Sequence, residues 1–337
     1  MMRQALSMSV IVPAYNAEAV LPECLGALRV STCEPLEILV VNDGSTDRTA
    51  EIAADYGATV LATARAQSGA GAARNVAARI AAGDLLVFVD ADVVVQPDTL
   101  ARLQQHFVDH PDVAAVFGSY DAEPAAANFL SQYKNLQHHY VHQKGSVDAE
   151  TFWTGCGAIR KDLFLEVGGF EVIKDSRPSI EDVELGYRLC ARGLRIKLDA
   201  TIQVKHLKRW TLWQFLYTEI FCRAVPWSNL IVSRRRIPRD LNVSLRERLS
   251  AAIAWSVVCL LPLSFWHSWM IIMPVAGLVT LICLNREFYG FLLRHRGFWF
   301  LVRTLPLHTL YYLYSSLAFA ICWLRHRLVS RTRYELE

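Results

Sequence analysis

The sequence predicts an α/β fold: an open, largely parallel sheet with flanking helices, followed by a C-terminal membrane-helix region. Three observations carry that reading. From residue 9 to about residue 120, short β-branched runs alternate with helical stretches, the pattern of βαβ units around a parallel sheet. Polar segments rich in Gly, Asn and Asp follow several of those runs, at the strand carboxyl ends where open α/β sheets bind ligands. Of the 337 residues, 53% are hydrophobic, the mean hydropathy is +0.22, and the apolar excess lies beyond residue 249.

Strands are predicted at Ser9–Val12, Leu36–Val41, Ala58–Leu61, Leu85–Val89 and Val113–Phe117, where apolar and β-branched residues cluster. Between them the spacing predicts helices over Ala17–Leu28, Thr46–Tyr56, Gly71–Ala82 and Asp98–His110. Ser45 or Thr46 can cap the second, and Pro97 suits the start of the fourth. Residues 121–207 are less regular. They hold a polar helix near Ala125–Lys144, a Gly-rich turn Thr154-Gly155-Cys156-Gly157, a helix over Ser179–Arg192 and a strand-like run Thr201–Val204. His138, His139 and His142 share a helical spacing and are expected on the exposed side. Residues 1–207 read as one domain with halves at 9–120 and 121–207.

Within 208–248, Leu212, Phe215, Leu216, Ile220 and Phe221 recur at spacings of three and four, either an amphipathic helix on a membrane face or a core helix of the globular part. Leu249–Leu284 lacks Asp, Glu, Lys and Arg. It is long enough for two short spans, Leu249–Trp266 and Ser268–Leu284, with tryptophans at the turn. Segment 285–337 adds a basic loop, a third apolar run at Phe298–Leu324 whose single charge is Arg303, and a basic tail. Arg234, Arg235, Arg236, Arg239, Arg246 and Arg248 precede the 249–284 hairpin, and Arg286, Arg294 and Arg296 follow it. Both flanks are therefore expected in the cytoplasm, giving a multi-pass inner-membrane protein with residues 1–207 cytosolic. Arg325, Arg327, Arg331 and Arg333 after the third run favour a re-entrant or surface-lying segment there over a third span. On that side the sequon Asn242-Val243-Ser244 has no meaning.

The net charge of +3, with arginines beside the apolar runs, reads as lipid-headgroup contact and against a nucleic-acid partner. Eight cysteines without CxxC or finger spacing fit a reduced compartment. The strand-like run at Ser9 comes before any long apolar stretch, the pattern expected without a signal peptide.

Asp90-Ala91-Asp92 follows the buried run Leu85–Val89. Alternation puts both carboxylates on one side of an extended chain. There they could hold a hard divalent cation, Mn²⁺ or Mg²⁺, and through it a diphosphate; the other reading is a turn with two solvated aspartates. Pro13-Ala14-Tyr15-Asn16 ends the first strand, Asn42-Asp43-Gly44-Ser45 ends the second, and Gly69-Ala70-Gly71-Ala72-Ala73-Arg74-Asn75 opens the helix before the fourth. The last brushes the dinucleotide pattern but has Arg74 in sixth position. A loop leading into a helix whose first N–H groups and Arg74 face phosphate or sugar fits better.

In residue type, order and spacing these segments resemble the nucleotide-binding half of the inverting glycosyltransferases of family 2, over roughly residues 9–210. The resemblance implies a GT-A-like sheet and an enzyme that moves a sugar from a nucleotide-diphosphate sugar, UDP-linked, to a lipid-linked or glycan acceptor by a metal-dependent single displacement. The halves become a donor half (9–120) and an acceptor half (121–207). Donor binding then falls to Pro13, Ala14, Tyr15, Asn16, Asp43, Gly44, Ser45, Arg74, Asn75, Asp90 and Ala91. Asp43 would accept from a base edge, a sound role because a carboxylate only accepts hydrogen bonds. In the acidic segment Ser179-Ile180-Glu181-Asp182-Val183-Glu184, Asp182 matches the general base and Glu181 lies on the acceptor side; the other reading is first-turn acids complementing a helix dipole.

Thr154-Gly155-Cys156-Gly157-Ala158-Ile159-Arg160 resembles the family's small-residue strand beneath the acceptor, with glycines letting the sugar approach the backbone. That puts Gly155 and Cys156 at the acceptor, Cys156 as packing more than nucleophile. Asp90, Asp92 and His206 match metal ligands, His206 being otherwise an interface residue. Polymer-making members carry Gln-x-x-Arg-Trp before their membrane helices, and only Lys208-Arg209-Trp210 stands here, which weighs against processive synthesis. A nucleotidyltransferase would begin with a Gly-rich, Arg-containing loop after the first strand, which Pro13–Asn16 is not. A non-catalytic scaffold would have no need of Asp43, Asp90, Asp92 and Asp182 together.

Overall fold

The computed structural model describes residues 6–172, 180–234 and 244–334, with side chains as far as Leu328. Ser179, Arg235, Arg236, Arg239, Asn242, Val243 and the side chains of Arg331 and Arg333 lie outside the described residues. The chain divides into two compact units, Met1–Trp210 and Thr211–Glu337.

The first unit is an α/β layer structure. In chain order its elements are β1 (Met8–Ala14), α1 (Leu21–Arg29), β2 (Glu37–Asn42), α2 (Thr49–Asp55), β3 (Thr59–Ala62), α3 (Ala70–Ile80), β4 (Leu85–Val89), β5 (Val93–Val94) and α4 (Thr99–Asp109). There follow β6 (Val113–Tyr120), α5 (Phe129–Lys144), β7 (Asp148–Ala149), β8 (Cys156–Arg160), α6 (Lys161–Glu166), α7 (Glu181–Ala191) and β9 (Arg195–His206). The sheet runs β3-β2-β1-β4-β8-β6-β9-β5, with β7 beside β9. β1 to β4 are parallel, and β8 is antiparallel to both β4 and β6.

Period-two alternation sorts the sheet's side chains into two cores. Val10, Val12, Leu85, Val87 and Val89 pack with Leu21 and Leu25 of α1 and Leu103 and Phe107 of α4. Ile11, Leu86 and Phe88 pack with Ala73 and Ala77 of α3 and Leu185 and Leu189 of α7. Phe88 centres the second layer, its ring 6.3, 5.6 and 5.3 Å from those of Phe152, Phe164 and Phe170.

β1 and β2 stay paired to Ala14↔Asn42, whereas the β1–β4 pairing stops at Ile11↔Phe88. β1 and β4 thus part just where their polar ends begin, and β4 meets β1 in parallel and β8 antiparallel. A ligand crevice belongs at such a switch point.

The helices start later than their patterns suggested, α1 at Leu21 and α2 at Thr49. The intervening backbone bonds across the two loops: Ala17 N–H donates to Thr49 Oγ1 and Glu18 N–H to Asp47 Oδ2. Ser45 and Thr46 do not cap α2; both bond Asn16. β6 and β9 run on to Tyr120 and His206, beyond the predicted Phe117 and Val204.

The second unit is helical: α8 (Leu212–Tyr217), a π-helical stretch (Thr218–Ala224), α9 (Val225–Arg234), α10 (Leu245–Leu260), α11 (Ile272–Leu284), α12 (Arg286–Arg296) and α13 (Phe298–Tyr334). Among the described residues, Leu245–Phe265 and Phe298–Leu328 are long and apolar enough to cross a membrane. Ser268–Leu284 qualifies only together with Arg286–Arg296, to which it is bent by 75°. In the third apolar run α13 is continuous through Pro306, without the break a re-entrant segment needs, which leaves a span or a surface-lying helix. The break lies earlier, at Asn285, whose side chain bonds Leu281 O, Ser250 Oγ and the Tyr312 hydroxyl. The apolar side of α8 and the π stretch splits, with Phe215 buried and Leu212, Trp213 and Phe221 exposed.

Truncating the ring at the centre of the second core tests this packing. Phe88→Ala is expected to destabilise the first unit by about 3–5 kcal/mol, read as a lowered urea midpoint of the purified chain. A loss under about 1 kcal/mol would mean the ring is not packed as described.

Candidate active site

Three loops converge at the β1–β4 opening. Pro13 and Ala14 close β1 and are buried, and Tyr15 is 44% exposed with its hydroxyl accepting from Gln67 Nε2 at 2.8 Å. Asn16 holds a left-handed backbone (φ 47°), which Asn tolerates, and couples the first two loops. Its N–H donates to Ser45 Oγ at 2.9 Å and its Oδ1 accepts from Thr46 N–H at 2.9 Å. Gly44 (φ 82°) passes so close to the third loop that a Cβ would sit 2.3 Å from Ala66 Cβ.

Asp43 is buried and anchors that third loop. Its Oδ1 accepts from Thr63 Oγ1 (2.7 Å) and Ser68 N–H (2.9 Å), and its Oδ2 from Gly69 N–H (2.8 Å) at the start of α3. A carboxylate offers about four acceptor positions, so a base edge would share Asp43 with the loop. Asn75 is committed elsewhere: its amide donates to Phe170 O (2.8 Å) and accepts Phe170 N–H (2.9 Å), clamping the turn after α6.

Asp90-Ala91-Asp92 begins where β4 ends, all three residues half-buried. The β5–β9 register pairs Val93 with His206, and Leu207 N–H donates to Asp92 O. This sets His206 Nε2 3.6 Å from Asp92 Oδ2. On the other side Arg74, 3% exposed, spans two carboxylates: one terminal nitrogen lies 2.6 Å from Asp90 Oδ1 and the other 3.2 Å from Glu181 Oε1. Burial pushes the Asp90 carboxyl up, against the pull of Arg74, and the neighbouring Asp92 adds to the rise. Burial also works on Asp92, but His206 and Lys208 outweigh it and hold it below the usual range.

Glu181 and Asp182 form the first turn of α7, and Asp182 Oδ1 accepts Val183 N–H at 2.8 Å. Burial first, then Glu181, pushes Asp182 up to about 6, with Arg74 pulling the other way. A carboxyl poised there can take a proton near neutral pH.

At the small-residue strand the glycines serve internal packing. A Cβ on Gly155 would fall 2.3 Å from the Trp153 ring, and one on Gly157 2.5 Å from Trp153 O. Cys156 is fully buried and burial raises its thiol to about 12, so its side chain offers nothing to an acceptor; only its backbone could.

The histidines of α5 are not exposed as expected. His139 and His142 are buried, their Nδ1 atoms 2.7 Å from Tyr120 O and 3.1 Å from Gly118 O, and burial lowers His142 to about 4. The rings of His138 and His142 pack with Tyr120 and Trp153 into an aromatic group that sequence reading missed. His206 stacks on Tyr120 (4.2 Å, 15°), and Trp153 meets Tyr120 edge-on at 4.8 Å. Its one signal was the continuation of β6 past Gly118 to Tyr120.

Among the described residues no three Asp, Glu, His or Cys side chains converge as a preformed metal shell. The donor chemistry still fits a hard cation: two carboxylates and an imidazole at adjacent strand ends, the Arg74 bond using one Asp90 oxygen.

Residues 9–168 match the family model for glycosyl transferase family 2. That stretch, just under half of the chain, is similar to this family. Over 241 residues it is 25% identical to the O-antigen chain rhamnosyltransferase RfbN of Salmonella typhimurium, covering 66% of this chain and 74% of RfbN. It is 39% identical over 100 residues to the uncharacterized glycosyltransferase EpsJ of Bacillus subtilis, covering 29% of each, so the chain spans under a third of that relative. The mannosyltransferase PcManGT of Pyrobaculum calidifontis, solved with GDP-Man and Mn²⁺, superposes with a TM-score of 0.57 at 18% identity, over 94% of this chain and 88% of that one. At that identity the likeness is one of fold, and it bears out the GT-A-like sheet. The acidic residues therefore stand at the strand ends where such a sheet binds ligands.

The raised carboxyl of Asp182 makes a prediction about stability with a definite sign. A folded-state value above the unfolded one leaves stability intact below about pH 4 and removes it as pH rises through about 6. Asp182→Asn should therefore melt higher than the parent chain at pH 8 and equally at pH 4. A melting difference independent of pH would show that Asp182 does not titrate as described.

Proposed function

We propose that this chain is a family 2 glycosyltransferase, an inverting enzyme that moves a sugar from a nucleotide-diphosphate sugar to a lipid-linked or glycan acceptor, with Asp182 as general base. The observation that carries the reading is a carboxyl raised to about 6 in the first turn of α7, whose neighbour Glu181 is linked through Arg74 to Asp90 just past the end of β4. Single displacement needs one such carboxylate to take the acceptor's proton on the face opposite the leaving group. Tyr15, Asn16, Gly44 and Ser45 would line the nucleoside side, and Asp43 would accept from the base while fixing the loop before α3. A UDP-sugar is the first donor to test, because uracil presents an N–H to a group that only accepts; the GDP-Man bound by PcManGT makes a GDP-sugar the second.

Asp90 and Asp92, with His206, would hold a divalent cation. When bound, the cation supplies charge neutralisation for the departing diphosphate. Lys208 adds positive charge beside the same two aspartates. The apolar helices of the second unit support attachment to a membrane, and the arginine-flanked runs favour an inner membrane with the catalytic unit in the cytosol. A lipid-linked acceptor suits that location.

Release of nucleoside diphosphate from a panel of nucleotide sugars tests the reading. Excess chelator should abolish transfer, and Asp92→Asn should lose metal-supported donor binding; full activity in chelator would exclude the metal role. Asp182→Asn should cut kcat by roughly 10² or more with nucleotide affinity nearly intact. In the parent enzyme kcat should fall below about pH 6 as Asp182 takes up its proton. A normal kcat in Asp182→Asn with collapsed nucleotide affinity would make Asp182 a donor-site residue instead.

A further inference from the structure

Arg74 was expected to face phosphate or sugar. Its guanidinium is instead buried between two carboxylates from distant parts of the chain, Asp90 at 2.6 Å and Glu181 at 3.2 Å. The Phe170 ring covers it, 5.6 Å from the guanidinium carbon to the ring centre. Asn75, the next residue of α3, clamps the Phe170 backbone from both sides. Gly71, one turn earlier on α3, leaves room for the Glu181 side chain, since a Cβ there would lie 3.1 Å from Glu181 Cγ. One face of α3 is therefore built to receive the first turn of α7 and to pin it to the end of β4.

We infer that Arg74 is a positioning residue for the transfer reaction: by holding Asp90 and Glu181 on one planar fork, it sets the distance between the leaving-group side of the site and the base that follows Glu181. The inference rests on the proposed role of Asp182. It assigns Arg74 no contact with the donor. Only arginine fits such a place, because its rigid fork can bond two carboxylates in different directions while keeping its charge. Lysine would keep the charge but could satisfy the two acids only as a single point.

Steady-state kinetics at saturating Mn²⁺, nucleoside-diphosphate binding by calorimetry, and melting temperatures should be measured for Arg74→Lys, Arg74→Met, Glu181→Gln and the Arg74→Met/Glu181→Gln double variant. A positioning role predicts kcat falling about 10-fold in Arg74→Lys and about 100-fold in Arg74→Met, the scale of a misplacement of about 1 Å. Nucleotide affinity should stay within about threefold. The double variant should be no slower than Arg74→Met alone, since both substitutions break one linkage. If Arg74→Met proves too unstable to purify, Arg74→Lys carries the test through the same split between kcat and nucleotide affinity.

Nucleotide affinity reduced more than about tenfold with kcat retained would make Arg74 a donor ligand and overturn the inference. Multiplicative losses in the double variant would overturn it too, by showing that Arg74 does not act through Glu181. If the parent chain transfers sugar but Asp182→Asn is unimpaired, the general-base reading fails by itself. Non-additive melting temperatures at positions 74 and 181 would then still report the linkage, and additive ones would remove it.

Discussion

The site depends on how β4 is placed in the sheet. It is a fully buried strand with β1 parallel on one side and β8 antiparallel on the other, and its carboxyl end is where the sheet changes character. Because the β1–β4 pairing ends at Ile11↔Phe88, the next residues of both strands are released from the ladder. Asp90 and Asp92 emerge there on a short turn, closed by Val93 N–H donating to Asp90 O and not extended as expected, that β5 and β9 immediately recapture. The carboxylates are thus partly exposed while the backbone on either side stays paired. A longer free loop would allow the same residues but not the same fixed spacing.

That placement concentrates charge in a partly desolvated space. Asp90, Asp92, Glu181 and Asp182 face Arg74, His206 and Lys208, and two of the acids are pushed up by burial. Unpaired, such groups would each cost several kcal/mol. The linkage through Arg74 makes them tolerable, and it does so by joining segments 16 and 107 residues away in the chain. A site assembled this way gives up stability for a carboxyl that ionises near neutral pH, the usual exchange at functional centres. The Phe88 layer beneath, with Phe152, Phe164 and Phe170, supplies the apolar burial that offsets it.

Much of this could be read in the sequence because strand ends announce themselves. Leu85–Val89 is apolar at every position, and the aspartates that follow it can only lie outside the sheet. What could not be read is how polar side chains divide their bonds. Asn75 beside Arg74 looked like a donor contact, yet both its amide groups serve Phe170, ninety-five residues on. Gly155 and Gly157 looked like open ground for a sugar, yet Trp153 and Phe152 fill it. His139 and His142 looked solvated because they sit in a polar helix, but carbonyls at the end of β6 give them partners that no periodicity reveals. Local pattern fixes where a residue sits along an element, whereas its hydrogen-bond partner is set by tertiary contacts.

The second unit shows the same division among apolar helices. Its apolar runs were plain from composition, but the polar residues inside them decide its form. Asn285 interrupts the helices at a 75° bend, and its side chain bonds Ser250 of α10 and the Tyr312 hydroxyl of α13, which also lies 3.0 Å from Glu247 Oε2. His308 and Tyr289 make a second link between α13 and α12 at 3.0 Å. Packing between apolar helices gains little where the surroundings are equally apolar, so directional bonds of this kind carry a larger share of the specificity. The bend therefore follows from where three helices can satisfy one amide, and hydropathy alone, which sees only a continuous apolar run up to Leu284, cannot place it.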